Sequence, residues 1–217
     1  MPVYNRWNLT HQLLTDLFTY CSQDITEVVV VDDCSTERDV PEGLTWWKYS
    51  SPLPLKTLTL PKNVGFLLAA NEGMALASGD ILVLISNDVR VGGRFTSRVI
   101  DLLKENPNII LGGTLYAQST GWNQFGDKVF PYLEGWLLAM TREAWDDVGG
   151  FDERFAPNDM EDVSFSTTAR EKGYTLVSLN DPNLRHLGAQ TIGYGAERQA
   201  LTERNRKKFE AKWLKSA

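Results

Sequence analysis

Two kinds of apolar run alternate along this chain. Short blocks rich in β-branched residues, Val28-Val29-Val30-Val31 and Ile81-Leu82-Val83-Leu84-Ile85, are too short for a lone helix and have the length of strands buried on both faces. Between them apolar residues recur at helical spacing, as in Leu9, Leu13, Leu14, Leu17 and Phe18, which predicts an amphipathic helix over residues 9–21. Continuing this reading places a strand at 55–60, a small-residue helix over 65–78 and a helix over 94–105 stopped by Asn106-Pro107. Residues 41–54, with their prolines and tryptophans, read as a connection without regular structure. Strands follow at 109–117 and 133–140, with 124–129 pairing beside the first, then a short helix near 142–148 and a Gly149-Gly150 stop. A helix over 160–172 closed by Gly173, short strands at 174–178 and 183–186, and a terminal helix from about 197 to 214 complete the chain. The first half alternates strand and helix, and the second half is mixed. The expected fold is α/β with a mainly parallel sheet.

Length and composition narrow this picture without redirecting it. At 217 residues the chain is long enough for one domain with a substantial core, and its 42% apolar and 23% charged residues are ordinary for a soluble protein. A net charge of −6 argues against a general nucleic-acid coat. No apolar run approaches the ~20 residues of a membrane helix, and residues 1–6 carry no apolar signal region. Cys21 and Cys34 have no metal-ligand spacing, so free thiols in a cytoplasmic setting are expected.

The candidate chemistry falls where predicted strands end. Pro2-Val3-Tyr4-Asn5, Asp32-Asp33-Cys34-Ser35, Asn63-Val64-Gly65 and Ser86-Asn87-Asp88 all sit at carboxyl ends of strands or in neighbouring loops, which is where open α/β sheets bind ligands. An acid ending a buried strand, such as Asp88, can hold a hard divalent cation shared with substrate phosphates. No Gly-x-Gly-x-x-Gly turn and no Gly-Lys-Ser/Thr loop is present, against Rossmann dehydrogenases and P-loop enzymes. With only two histidines and no Gly-x-Ser-x-Gly elbow, a serine hydrolase is not indicated either.

Taken in order, these motifs resemble the family 2 glycosyltransferases of the GT-A fold. The resemblance runs from Pro2 to about Thr191. It rests on Pro2-Val3-Tyr4-Asn5, Val31-Asp32-Asp33-x-Ser35, Asn63-x-Gly65-x5-Asn71-x-Gly73 and Ala77-x-Gly79-Asp80. It continues through Ser86-Asn87-Asp88, Gly149-Gly150-Phe151-Asp152-Glu153, Glu161-Asp162 and His186. The resemblance implies a sheet that is mainly parallel and Rossmann-like, with a smaller mixed acceptor-side region. It implies a metal-dependent enzyme, either inverting or, as the alternative, retaining, that moves a sugar from a nucleoside-diphosphate sugar, with a UDP-sugar favoured, to an acceptor hydroxyl. A non-catalytic sugar-nucleotide-binding protein is the remaining alternative. By the same resemblance Asp33 would bond the base, Pro2, Val3 and Tyr4 would wall it, and Asn5, Asn63, Gly65, Asn71, Ser86 and Asn87 would line the rest of the donor. Asp88 and His186 would hold Mn²⁺ or Mg²⁺, Asp162 would be the general base, and Glu161 would meet the acceptor. Trp122 and Trp136 are sugar-stacking candidates, with core burial as the default.

Each role has a plainer rival. Asp32 and Asp33 could cap a turn, Asn71 and Gly73 could be helix-packing residues, and Glu161-Asp162 could be a favourable pair at a helix start. The chain also departs from the family in three places. The first apolar strand is nearly absent before Pro2, Ser86-Asn87 stand where a carboxylate is usual, and Ser164 replaces a further acid. A donor-binding half over 1–92, an acceptor and catalytic half over 93–196 and a basic helix over 197–217 are expected within one domain. That helix carries a local balance of +4, read as a solvated face or as a contact for an anionic surface or a second subunit.

Overall fold

The computed structural model describes residues 1–188 and 195–214; Thr191, where the resemblance ends, and the last three residues of the expected C-terminal helix lie outside them. In chain order the strands and helices are β1 (Pro2–Val3), α1 (Trp7–Cys21), β2 (Val28–Asp32), α2 (Asp39–Ser50), β3 (Leu55–Thr59), α3 (Phe66–Leu76), β4 (Ile81–Ile85), β5 (Val89–Val91), α4 (Phe95–Glu105), β6 (Ile109–Gly112), β7 (Leu115–Tyr116), β8 (Gln124–Phe125), β9 (Lys128–Val129), β10 (Tyr132–Leu133), β11 (Leu137–Thr141), α5 (Arg142–Val148), α6 (Glu161–Glu171), β12 (Thr175–Ser178), β13 (Leu184–His186) and α7 (Ala196–Trp213). The first half pairs β1, β2 and β3 in parallel. The second sheet, ordered β12-β6-β11-β4, is mixed, with β12 parallel to β6 and β11 antiparallel to both β6 and β4.

The valine run of β2 is buried on both faces because helices cover both. Val28 and Val30 join the core that includes Leu13, Leu14 and Leu17 of α1, while Val29 and Val31 pack with Ala69 of α3. Gly73 lets α3 come close: a Cβ there would sit 3.1 Å from a Val31 methyl. β4 divides in the same way, Leu82 and Leu84 facing one core cluster and Ile81, Val83 and Ile85 the other. Each fully buried aliphatic side chain contributes about 1.5–3 kcal/mol, so these two strands each anchor one of the two sheets.

Four expectations need correction, one being the strand over 133–140, which breaks at 134–136 into β10 and β11. Residues 41–54 are not an irregular connection, because most of them belong to α2. Pro41 lies in its first turn, where a missing N–H costs nothing, and Val40, Leu44 and Trp47 bury one face at helical spacing. The strand expected over 109–117 breaks into β6 and β7 at Gly113, where a Cβ would lie 1.9 Å from the Trp136 ring. Residues 124–129 pair with each other as the β8–β9 hairpin rather than beside β6.

β1 is as short as the sequence suggests. Met1 still follows β2, its amine donating to the Val29 carbonyl at 2.8 Å, and burial lowers that amine to about 5. Alongside, between β2 and β4, lies an apolar slot of about 320 Å³ walled by Val28, Val29, Ile81, Val83 and Phe95.

Candidate active site

The end of β1 and the loops after β2 and β3 are tied together, and much of their polarity is spent on each other. Val64 N–H donates to Asp33 Oδ1 at 2.7 Å and Gly65 N–H to Oδ2 at 2.8 Å, so Asp33 braces the loop entering α3. Burial raises the Asp33 pKa against these two bonds. Asp32 is structural: its Oδ1 accepts from Ser35 N–H at 2.9 Å. Asn5, in the left-handed region with φ 55, accepts from Thr36 and Glu37 N–H on one oxygen and ties the end of β1 to the loop after β2. Pro2 and Val3 are buried strand residues, which leaves half-buried Tyr4 as the part of the expected base wall that solvent reaches. Asn63 is exposed.

Two more candidates act as internal clamps. Asn71 donates to the Phe151 carbonyl at 2.8 Å and accepts from Phe151 N–H at 3.0 Å, pinning α3 to the Gly149-Gly150 turn. Asn87 is buried and donates to Thr10 Oγ1 of α1 at 3.1 Å. Ser86 N–H goes to the Trp136 carbonyl at 2.9 Å. Gly65 cannot be replaced without strain. Its φ is +89, and a Cβ would lie 2.3 Å from the Pro157 side chain, so the donor-side loop and the loop before α6 touch there.

Asp88 and His186 are brought together by strand register. β5 follows Asp88 and pairs antiparallel with β13, setting His186 opposite Val89. His186 Nε2 then lies 3.3 Å from Asp88 Oδ1, and Leu187 N–H donates to the Asp88 carbonyl at 3.0 Å. The imidazole stacks on the Trp136 indole with centroids 5.2 Å apart and planes at 13°. Trp136 is therefore a buried wall behind a site residue, not an open sugar platform. One carboxylate oxygen and one imidazole nitrogen fit Mn²⁺ chemistry as part of a shell. Among the described residues no group of three acidic, histidine or cysteine side chains could enclose a metal alone. This pair would need oxygens from a bound diphosphate and water to complete the shell.

Asp162 occupies the opposite side of the same loop. Val163 N–H donates to its Oδ1 at 2.8 Å and Gly135 N–H to Oδ2 at 3.4 Å. Burial, with the neighbouring Glu134 and Asp159 charges, raises its pKa to about 7, the range that suits a general base at neutral pH. Glu161 is the more buried of the pair, and its Oε2 has no hydrogen-bond partner; burial and the Asp162 charge push it well above the usual carboxyl range. Burial and the neighbouring charge thus favour the neutral form of this carboxyl, which suits a proton acceptor less well than Asp162 does.

The turn that presents this pair is held from behind. Asp159 and Met160 are both left-handed, with φ 69 and 74, an arrangement that non-glycine residues adopt only when their surroundings fix it. Helix α7 supplies the fixing. Arg198 pairs with Asp159 at 3.0 Å, Thr202 Oγ1 donates to the same carboxylate at 2.5 Å, and buried Asn205 donates to the carbonyls of Phe155, Asn158 and Asp159. Arg204 reaches the Ala156 carbonyl, and Lys212 pairs with Asp152 at 3.1 Å. The basic helix is thus a strap over residues 152–159, so its charges are largely engaged inside the molecule. Trp122, 55% exposed on the turn before β8, has its carbonyl taken by Arg206 of α7, and among the described residues nothing ties it to Asp88 or Asp162.

Sequence reasoning missed Glu134, whose carboxylate accepts from Trp136 Nε1–H at 3.1 Å and from the Tyr116 hydroxyl at 3.4 Å. No motif marks it; only the pairing of β7 with β10 brings Tyr116 within reach.

The chain belongs to glycosyl transferase family 2, whose profile matches residues 1–159. The match ends just before Glu161, so Asp162 and His186 rest on the geometry above. Among solved structures, the chain is similar to the mannosyltransferase PcManGT from Pyrobaculum calidifontis in complex with GDP-Man and Mn²⁺, at a TM-score of 0.64 and 22% identity over 82% of this chain and 52% of that one. It is also similar to GalNAc-T7 with UDP, GalNAc and Mn²⁺, at a TM-score of 0.69 and 14% identity over 82% of this chain and 41% of that one. A third is S. aureus TarS 1-349 in complex with UDP, with a TM-score of 0.64 and 19% identity over 84% of this chain and 57% of that one. The chain thus spans about half the length of the structures it resembles. No curated protein matches it significantly. These likenesses establish the GT-A fold. Among the described residues no helix is long and apolar enough to cross a membrane.

Proposed function

We propose that this chain is a metal-dependent inverting glycosyltransferase that moves a sugar from a nucleoside-diphosphate sugar, a UDP-sugar by preference, to an acceptor hydroxyl. One observation carries the reading. A carboxylate–imidazole pair suited to a divalent cation, Asp88 and His186, meets a carboxyl tuned to about 7, Asp162, across the single loop 134–136. The solved relatives that hold Mn²⁺ with a nucleotide or nucleotide sugar support it.

The acceptor oxygen attacks the anomeric carbon on the face opposite the diphosphate. Its proton passes to Asp162, the carbon–oxygen bond to the β-phosphate breaks, and the nucleoside diphosphate leaves with the bonding pair. Asp88 Oδ1 and His186 Nε2 would hold the divalent cation, which when bound supplies positive charge against the diphosphate. Asp33 and the Val64 and Gly65 N–H groups shape the donor-side loop, and Tyr4 borders it. A retaining route through a covalent sugar would need a second ionised carboxylate beneath the anomeric carbon. Glu161, whose neutral form burial favours, is a poor candidate for that role.

The test is a screen of nucleotide sugars for nucleoside-diphosphate release with Mn²⁺, followed by NMR assignment of the product anomer. Release with inverted configuration is the expected result. Retained configuration would replace this mechanism by the retaining one. Tight binding without turnover on any acceptor would leave a sugar-nucleotide-binding protein.

A further inference from the structure

Glu134, Gly135 and Trp136 form a junction that no sequence motif announces. The Trp136 carbonyl accepts from Ser86 N–H, next to the strand end that carries Asp88, and the Trp136 ring backs His186. Gly135 N–H points to Asp162 Oδ2, and a Cβ on Gly135 would lie 3.6 Å from the Asp162 Cβ. Glu134 closes the junction. Its N–H donates to the Thr114 carbonyl at 3.0 Å, and its Oε2 takes the indole N–H of Trp136.

We propose that Glu134 is a positioning residue that sets the His186 arm and the Asp162 carboxylate from one loop. The proposal rests on the reading of Asp88 with His186 as the cation pair and of Asp162 as the base. An indole free to rotate about its side-chain bonds would not keep a ring parallel to His186. The bond from Nε1–H to Glu134, seconded by Thr114 Oγ1 at 3.3 Å, holds it in that plane. The Gly113 position makes room for this one orientation and no larger residue. Outer partners of this sort fix the aim of a metal-ligating histidine, and their loss typically weakens metal affinity 10–100-fold.

The same carboxylate acts on Asp162 through charge. Asp162 faces Glu134 from the 134–136 loop, Asp159 from the turn before α6, its own neighbour Glu161, and the hydroxyls of Tyr116 on β7 and Tyr132 on β10. Of the ionised groups, Asp159 is paired with Arg198, which weakens its field at Asp162. Glu134 accepts from the uncharged Trp136 and Tyr116 donors, so no cation offsets its charge there, and it is the larger of the two charges that discourage Asp162 from ionising.

The experiment uses two variants of the full chain without any nucleotide sugar. Glu134→Gln keeps an oxygen for the indole but removes the charge, and Glu134→Ala removes both. Binding of Mn²⁺ in the presence of saturating UDP, read by electron paramagnetic resonance, should weaken about 10-fold or more in Glu134→Ala and stay close to wild type in Glu134→Gln. The Asp162 carboxyl titration, read by carbon NMR, should move to lower pH in Glu134→Gln. A folded Glu134→Ala protein with wild-type Mn²⁺ affinity overturns the proposal, and so does an Asp162 midpoint that stays in place in Glu134→Gln. Neither readout needs turnover, so failure of the transferase reading would show separately, as a wild-type protein that binds Mn²⁺ and releases no nucleotide. If Glu134→Ala does not fold, the titration of Glu134→Gln decides.

Discussion

Asp88 and Asp162 reach the same loop by opposite means. Asp88 follows β4, and its partner His186 arrives because β13 pairs with β5; both are placed by backbone ladders with little freedom. Asp162 opens α6 after a turn with two left-handed residues and is held by the side chains of a helix from the end of the chain. The first arrangement is rigid by register. The second is rigid only while α7 stays in place. In the proposed roles, a pair of cation ligands needs fixed geometry, whereas a base gains from partial burial that raises its pKa, and a loop can enclose it in a way a strand end cannot.

The widest separation between the two sides should come from removing the base. Asp162→Asn should lower kcat by about 10²-fold or more and leave nucleotide-sugar affinity nearly intact, as calorimetry and steady-state rates would show. The unmodified protein should lose rate as pH falls through about 7, because only the ionised Asp162 accepts a proton. The stability effect has the opposite sense. With the folded-state value raised from 3.8 to about 7, the folded protein binds the proton more tightly than the unfolded chain, so this group's contribution falls as pH rises across that window. Thermal melts from pH 4.5 to 7.5 should show a decline that Asp162→Asn lessens. An Asp162→Asn enzyme with near-normal kcat would end the comparison on the base side.

On the register side, Asp88→Asn should weaken Mn²⁺-dependent nucleotide binding by at least about 10-fold, since losing a ligand costs no less than losing its outer support. Binding that is indifferent to a chelator in the original protein would refute the cation pair.

The dependence on α7 can be broken at one residue. Asn205 is fully buried and its amide serves three carbonyls of the 155–159 turn. Asn205→Ala leaves those carbonyls without a donor and should cost about 1–3 kcal/mol in chemical denaturation. It should also reduce kcat more than donor affinity, because the turn carries Asp162 and not Asp88. Equal loss on both would mean the two sides are not held independently.

The strand-borne side was legible from sequence because local rules suffice there. A β-branched run followed by polar residues announces both the strand and the position of Asp88, and the family motifs named Asp162 and His186. What escaped was long-range. Whether Asn71 and Asn87 face a ligand or clamp Phe151 and Thr10 depends on contacts with distant elements, and periodicity carries no such information. Pro41 misled because a proline in the first turn of a helix looks, in sequence, like one in a loop. The basic character of α7 was visible as a balance of charge, but its targets are mostly backbone carbonyls, which every residue has.

The smallest effects separate engaged cations of α7 from solvated ones. Arg206 donates to the carbonyls of Gly121, Trp122 and Gln124 and lies over the Phe125 ring at 4.3 Å, packed against the stack that Phe125 makes with Phe209. Lys207, one residue on, reaches among the described residues only Glu203 at 3.6 Å, and both side chains are well exposed. Adjacent positions on a helix point about 100° apart, which is why one faces the hairpin and the other faces water. Arg206→Ala should therefore cost about 1–2 kcal/mol, because it removes hydrogen bonds and a cation–π interaction together. Lys207→Ala should stay within about 0.5 kcal/mol of the original protein. If denaturant melts show the two variants equally destabilised, α7 is held by its overall charge and not by the particular side chains that strap it down.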